Sequence, residues 1–217
     1  MGFPSLNFYL KKMFVRELEL IQSKPATIVS QVFTDGWDDK ERERIVSYLN
    51  ELNVTDDRTD VGKKYLYILP HYPLLDMAFP QIGISTGNEI TAERGLGDET
   101  GEEVEIRDGS NNLIARDIER GYFCRGQYII TLLGNYEEII WLATLCKYIV
   151  SLRQDELDGI GFKNVDISVA DLKPNPELTP HVLFGREVTL SGLLVNTWYK
   201  RNSVSTTYGT GGNTEAP

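Results

Sequence analysis

With 217 residues, of which 41% are hydrophobic and 25% charged, the chain has ordinary globular composition and enough length for a proper core, which excludes a wholly disordered protein. Its 32 acidic side chains against 22 basic ones leave a net charge of −10. Such a surface repels nucleic-acid phosphates at a distance and disfavours nonspecific DNA binding, although an acidic wall suits a duct through which DNA slides.

The first predicted element is a helix, because Leu10, Met13, Phe14, Leu18 and Ile21 recur at spacings of three and four. Pro25 ends it or starts the next element, and Ala26 to Phe33 fits either a helix or a strand. Asp35-Gly36 marks a turn. Asp38 then caps a second helix reaching about Leu52, with Ile45, Val46, Leu49 and Leu52 on one face and Asp39, Glu41 and Glu43 in its first turns. After a polar loop the period changes to two: Tyr65 to Leu69 reads as a strand covered on both sides, and Gln81 to Thr86 as another. Glu89 to Asp108 holds eight acids and two arginines, the composition of a solvated loop or an acidic hairpin arm. Within it Val104 and Ile106 form a short strand, Asp108-Gly109 turns it, and Leu113 to Ile118 returns. A separate long strand is expected from Gly121 to Leu132, then a break at Gly134-Asn135, where Asn135 is a good helix cap. A third helix runs to about Arg153, and strands at Val165–Leu172 and Val182–Tyr199 close the fold. The pattern predicts one α/β domain over 1–201, with 1–60 helical and 61–201 holding the sheet and long helix. A Ser/Thr/Gly-rich segment at 202–217 cannot bury enough surface to fold alone.

The third helix is apolar on two opposed faces. Ile139, Leu142, Ala143, Cys146, Ile149 and Val150 fall on one, and Trp141, Leu145, Tyr148 and Leu152 on the other. Two apolar faces need two partners. Either the helix is sandwiched between the sheet and the first helix, or the face of Trp141, Leu145, Tyr148 and Leu152 is a subunit interface.

No motif specifies chemistry. Gly83-Ile84-Ser85-Thr86-Gly87 matches a serine-hydrolase nucleophile elbow, with His181 downstream, yet the polar residues after it do not open a buried helix. Gly95 to Gly101 has the wrong spacing for a dinucleotide loop. The acids Asp38, Asp39, Asp56, Asp57 and Asp60 lack the calcium-loop pattern, and His71 and His181 have no cysteine spaced to join them on zinc. No catalytic, cofactor or metal residues are therefore expected. Cys124 and Cys146 read as free buried thiols in preference to a disulfide. The first residues lack the basic-then-apolar order of a signal peptide, and the apolar stretch Ile139 to Val150 is too short to cross a bilayer, so no membrane partner is expected.

A run of features from Tyr65 to Tyr199 resembles the small tail-terminator and neck (head-tail connector) proteins of tailed bacteriophages. They are Tyr72-Pro73-Leu74 before the strand Gln81-Ile82-Gly83-Ile84, then the acidic hairpin, Gly121-Tyr122, and Gln127-Tyr128-Ile129-Ile130-Thr131. The helix opened by Asn135-Tyr136-Glu137-Glu138 follows, then Gly161-Phe162-Lys163-Asn164-Val165 and Phe184-Gly185-Arg186-Glu187-Val188-Thr189-Leu190. The resemblance covers roughly 60% of the chain and leaves out the first 60 residues and the tail. It implies a mixed, mostly antiparallel sheet packed by about three helices, with a protruding acidic hairpin. It further implies a non-enzymatic virion protein, made in the host cytoplasm, that forms a homo-oligomeric ring (a hexamer on the family pattern). Such a ring caps the tail tube, meets tube, sheath and neck proteins, and lets DNA pass through its lumen without specific binding. A stopper, collar, sheath anchor or baseplate component is the alternative, and a hydrolase using Ser85 a remote one.

Overall fold

In the computed structural model the described residues are 3–54, 64–74, 78–91, 98–173 and 184–203. The chain opens with α1 (Phe3–Ser23), which buries Leu6, Leu10, Met13, Phe14, Leu18 and Ile21 along one stripe. Pro25 starts α2 (Pro25–Val32), taking a first-turn position where its missing N–H costs nothing. This settles the ambiguous segment as helix. Asp38 caps α3 (Asp39–Glu51), its carboxylate accepting from the Glu41 N–H at 2.7 Å. Gln22 of α1 ties down the end of α3 by donating from Nε2 to the Leu49 and Leu52 carbonyls at 3.0 and 2.6 Å.

The predicted strand at Tyr65–Leu69 is split. β1 (Leu52–Asn53) and β2 (Lys64–Tyr65) form a small parallel pair, while β3 (Tyr67–Leu69) joins the main sheet. Leu66 lies between the two, its N–H given to the Asn53 carbonyl at 2.9 Å.

The main sheet continues with β4 (Gln81–Thr91), β5 (Asp98–Arg107), β6 (Leu113–Gly134), β7 (Phe162–Asp171) and β8 (Phe184–Ser203). Its order is β3-β4-β6-β8-β7, with β5 also paired to β6. Only β3–β4 is parallel. The mixed, mostly antiparallel sheet packed by helices is thus the fold, although the described helices number five where about three were expected. Glycine is required where neighbours press closest: a Cβ on Gly83 would lie 2.4 Å from the Pro73 ring, and one on Gly192 would lie 2.6 Å from the Phe162 ring.

The two strands expected at 113–118 and 121–132 are one strand of 22 residues. Glu119-Arg120-Gly121 reads as a break, but β8 pairs with β6 without interruption from Gly134↔Phe184 to Ala115↔Ser203. A continuous ladder satisfies every backbone group on that side, which outweighs the poor strand propensity of the three residues. The tail boundary moves for the same reason, since Asn202 and Ser203 belong to β8.

The third predicted helix is α4 (Tyr136–Leu152), followed by a short α5 (Gln154–Gly159) that the sequence pattern did not announce. Asn135 occupies the cap position of α4, but its side chain makes no capping hydrogen bond. α4 packs on β6 and β8 and also touches α1 and α2. One hydrophobic cluster runs from Leu6 to Leu194 and includes Ile139, Trp141, Leu142, Leu145, Cys146, Ile149 and Val150 of this helix. Cys124 and Cys146 are both buried and free.

Candidate assembly surfaces

The four residues expected at a subunit interface are not together on the surface. Trp141 and Leu145 are buried by their own chain at 5% and 0% exposure. Trp141 is covered by α3, with the Tyr48 ring 5.4 Å away and the Arg44 guanidinium 5.7 Å from the indole centroid. Tyr148 is half-buried against the core, and only Leu152, at 51%, stays exposed. The sandwiched-helix alternative therefore describes α4. Its outer face is covered by α1, α2 and α3, whereas the sequence reading had offered only the first helix. The missing signal was the pairing of two cations with the first turn of α4: Arg44 meets Glu137, and Lys64 meets Glu138.

Ser85 lies inside β4, which runs on to Thr91, so the pentapeptide has no strand-to-helix turn. Its hydroxyl points at the Ile129 carbonyl at 3.4 Å and the residue is 5% exposed. His181, Asp56, Asp57 and Asp60, and the loop part of the glycine-bearing stretch at 92–97, lie outside the described residues, as does 204–217. Among the described residues no cluster of His, Cys, Asp and Glu could hold a metal ion, and no helix is long and apolar enough to cross a membrane.

A second ionic cluster ties α1 to α5. Glu17, only 3% exposed, receives Arg16 Nε at 2.8 Å and Arg153 at 2.8 Å. Glu156 accepts from Arg16 at 2.8 Å and from the Tyr9 hydroxyl. Hydrogen bonds from Arg16 and Tyr9 hold the Glu156 carboxyl below the ordinary glutamate value, and burial and the bond to Glu156 push Tyr9 up to about 12. The cluster is internally paired and closes α5 onto the body.

β5, the first part of β6 and the last part of β8 form an arm. The ladder of β4 on β6 ends at Thr91↔Cys124, and the ladder of β7 on β8 ends at Phe162↔Leu194. Beyond those points β6 continues for the eleven residues Leu113 to Phe123, about 35 Å at strand rise, flanked by β5 on one side and by the last part of β8 on the other. Among the described residues no helix makes an extensive contact with β5.

The acidic stretch is the outer strand of this arm, and it is partly neutralised there. Arg116 reaches Glu103 at 3.0 Å and Glu105 at 3.6 Å, and Arg107 reaches Glu105 at 2.7 Å. The hydrogen bond from Arg107, then its charge, holds the Glu105 carboxyl below the usual range. In the register, Val104 and Ile106 alternate with these acids opposite Asp117 and Ala115; Val104 is 46% exposed and Ala115 is buried. The arm thus has one ion-paired face and a second face on which Val104, Ile106 and Ala115 sit beside Asp117. Asp108 shapes its tip, accepting from the Ser110 and Asn112 N–H groups at 2.8 and 2.9 Å, and these bonds lower its carboxyl pKa. The left-handed residue of the turn is Asn111 at φ 67°.

Compared with known protein families and with curated proteins, the chain matches no family model and no curated sequence.

Proposed function

We propose that this chain is a structural subunit that assembles with copies of itself, in the manner of a tail-terminator or neck protein of a tailed bacteriophage. The observation that carries the reading is the arm. Three strands extend some 35 Å past the ends of the β4 and β7 ladders, and among the side chains described there, Glu103–Arg107 and Leu113–Asp117, only Ala115 is buried. A ribbon without a core is marginal by itself in water and gains stability when something packs on it. One three-stranded arm has enough area over two faces and two edges to supply the roughly 800 Å² per partner of a standard protein contact. The order of elements that resembles the phage proteins supplies the neck or tail assignment. The buried Trp141 no longer contributes to it, and the salt-bridged β5 weakens the idea of a purely acidic wall.

Light scattering over a range of concentrations, with negative-stain images of the same samples, tests the proposal. Closed multi-copy particles are expected from the full chain. A deletion of the β5–β6 tip between Glu103 and Asp117, closed by a two-residue turn, is expected to give folded monomers. A full-length protein that stays monomeric at every concentration would overturn the reading.

A further inference from the structure

Among the described residues the arm has two long open edges on opposite sides. β5 offers its ten residues, and β8 offers the nine residues Val195 to Ser203 that lie past the end of its ladder with β7. Neither outer edge carries a strand among the described residues. An uncovered edge of this length is a template for another chain.

We infer that the β5 edge of one copy pairs with the Val195–Ser203 edge of the next; this contact rests on the self-assembly proposed above. Charge selects it. β5 carries Asp98, Glu99, Glu102, Glu103 and Glu105 against Arg107, a net of −4, whereas Val195–Ser203 carries Lys200 and Arg201 and no acid. Pairing β5 with β5 sets acids against acids, and pairing β8 with β8 sets bases against bases; like charges facing each other across a ladder are destabilising. Only the mixed pairing brings opposite charges together. The acids on β5 therefore block one association and favour another with the same side chains.

Direction agrees with this choice. β5 and β8 both run antiparallel to β6, so they run in the same sense within one arm. When copies follow one another around an axis lying along the strands, the next copy's β8 meets β5 in parallel. The contact is heterologous, because each copy uses two different surfaces. It leaves an edge open at either end until the series closes on itself, which is the geometry that makes rings. A two-fold dimer would instead use one edge twice, which is the arrangement that the charges oppose.

The test uses the full chain with one edge reversed at a time. Asp98→Lys, Glu99→Lys and Glu102→Lys together take the β5 edge from a net of −4 to +2 and spare Glu103 and Glu105 for Arg116. Lys200→Glu with Arg201→Glu makes the β8 edge acidic. Circular dichroism checks that each variant folds, and light scattering reads mass. Each variant alone is expected to self-associate at least about tenfold more weakly than the parent. A one-to-one mixture is expected to assemble again, since both contacts in an alternating series are then acid to base. Assembly of both single-edge variants at parental strength would overturn the edge contact and leave self-assembly standing. A mixture that stays monomeric would likewise overturn the edge contact. A parental chain that never assembles would remove the self-assembly reading itself.

Discussion

Between Cys124 and Leu132, β6 places Tyr128, Ile130 and Leu132 under the helices with no measurable exposure. Between Leu113 and Asp117 the same strand has a single buried residue, Ala115. β8 is its ladder partner over Ala115–Asp117 as over Cys124–Leu132, so backbone pairing on that side is the same in the two regions and side-chain burial is not. In the covered region the helices decide stability. In the arm the ladder sets the shape, and ion pairs such as Arg116–Glu103 add little because both partners are about half exposed. One sheet thus carries a rigid body and an extension whose stability depends on what it touches.

That contrast can be broken most strongly in the body. Trp141→Ala is expected to cost about 3–4 kcal/mol in urea unfolding, since it empties a site enclosed by Tyr48 and Arg44. Leu152→Ala on the same helix is expected to stay within about 0.5 kcal/mol, as it is half exposed. Equal losses at the two positions would mean that Trp141 is not covered as described.

Glu17→Gln comes next, at about 2 kcal/mol, because it removes a buried charge that holds two guanidinium groups. The loss should appear in thermal or urea unfolding and leave self-association of the arm unchanged.

A smaller, pH-dependent effect is expected at Glu156. Its native pKa is depressed, so its contribution is fully present above the unfolded glutamate value of about 4.3 and fades as pH falls through the native value. Tyr9 acts at the other end: its pKa is raised to about 12, so its contribution is present below about 10 and is lost as pH climbs toward 12. Unfolding midpoints measured across pH should fall less steeply in acid for Glu156→Gln than for the parent, and an unchanged slope would discount the cluster.

The smallest effect on global stability belongs to the arm tip. Asp108→Ala removes three local hydrogen bonds and should speed amide exchange around 104–116, with no shift in the unfolding midpoint of the body. A clear shift in that midpoint would show that the arm and the body unfold as one unit.

Much of the fold was legible in the sequence where a short-range rule operates. Asp38 and the acids after it announce α3, and the three-and-four spacing from Leu10 to Ile21 announces α1. The outlines of β4, α4, β7 and β8 follow from alternation and turn residues. Continuity was not legible. Glu119-Arg120-Gly121 looks like a break because a partner strand lies some 80 residues away, and pairing with Thr197, Trp198 and Tyr199 on one side and with Asp98 and Glu99 on the other carries β6 across it. The candidate surface was misplaced for a related reason: the apolar second face of α4 is visible in the sequence, but which element covers it depends on where α3 comes to rest.

The sequence by itself determined the types of α1, α3, α4, β4, β7 and β8, the absence of a recognisable catalytic motif and the two-faced character of α4, because these follow from local spacing and side-chain chemistry. Only the tertiary structure decided that Trp141 lies inside and that the acidic stretch is the outer strand of an arm. It alone set β5 and the end of β8 along opposite edges of β6. Those outcomes turn on contacts between residues far apart in the chain, and a pattern of polar and apolar positions does not encode which distant partner satisfies each face.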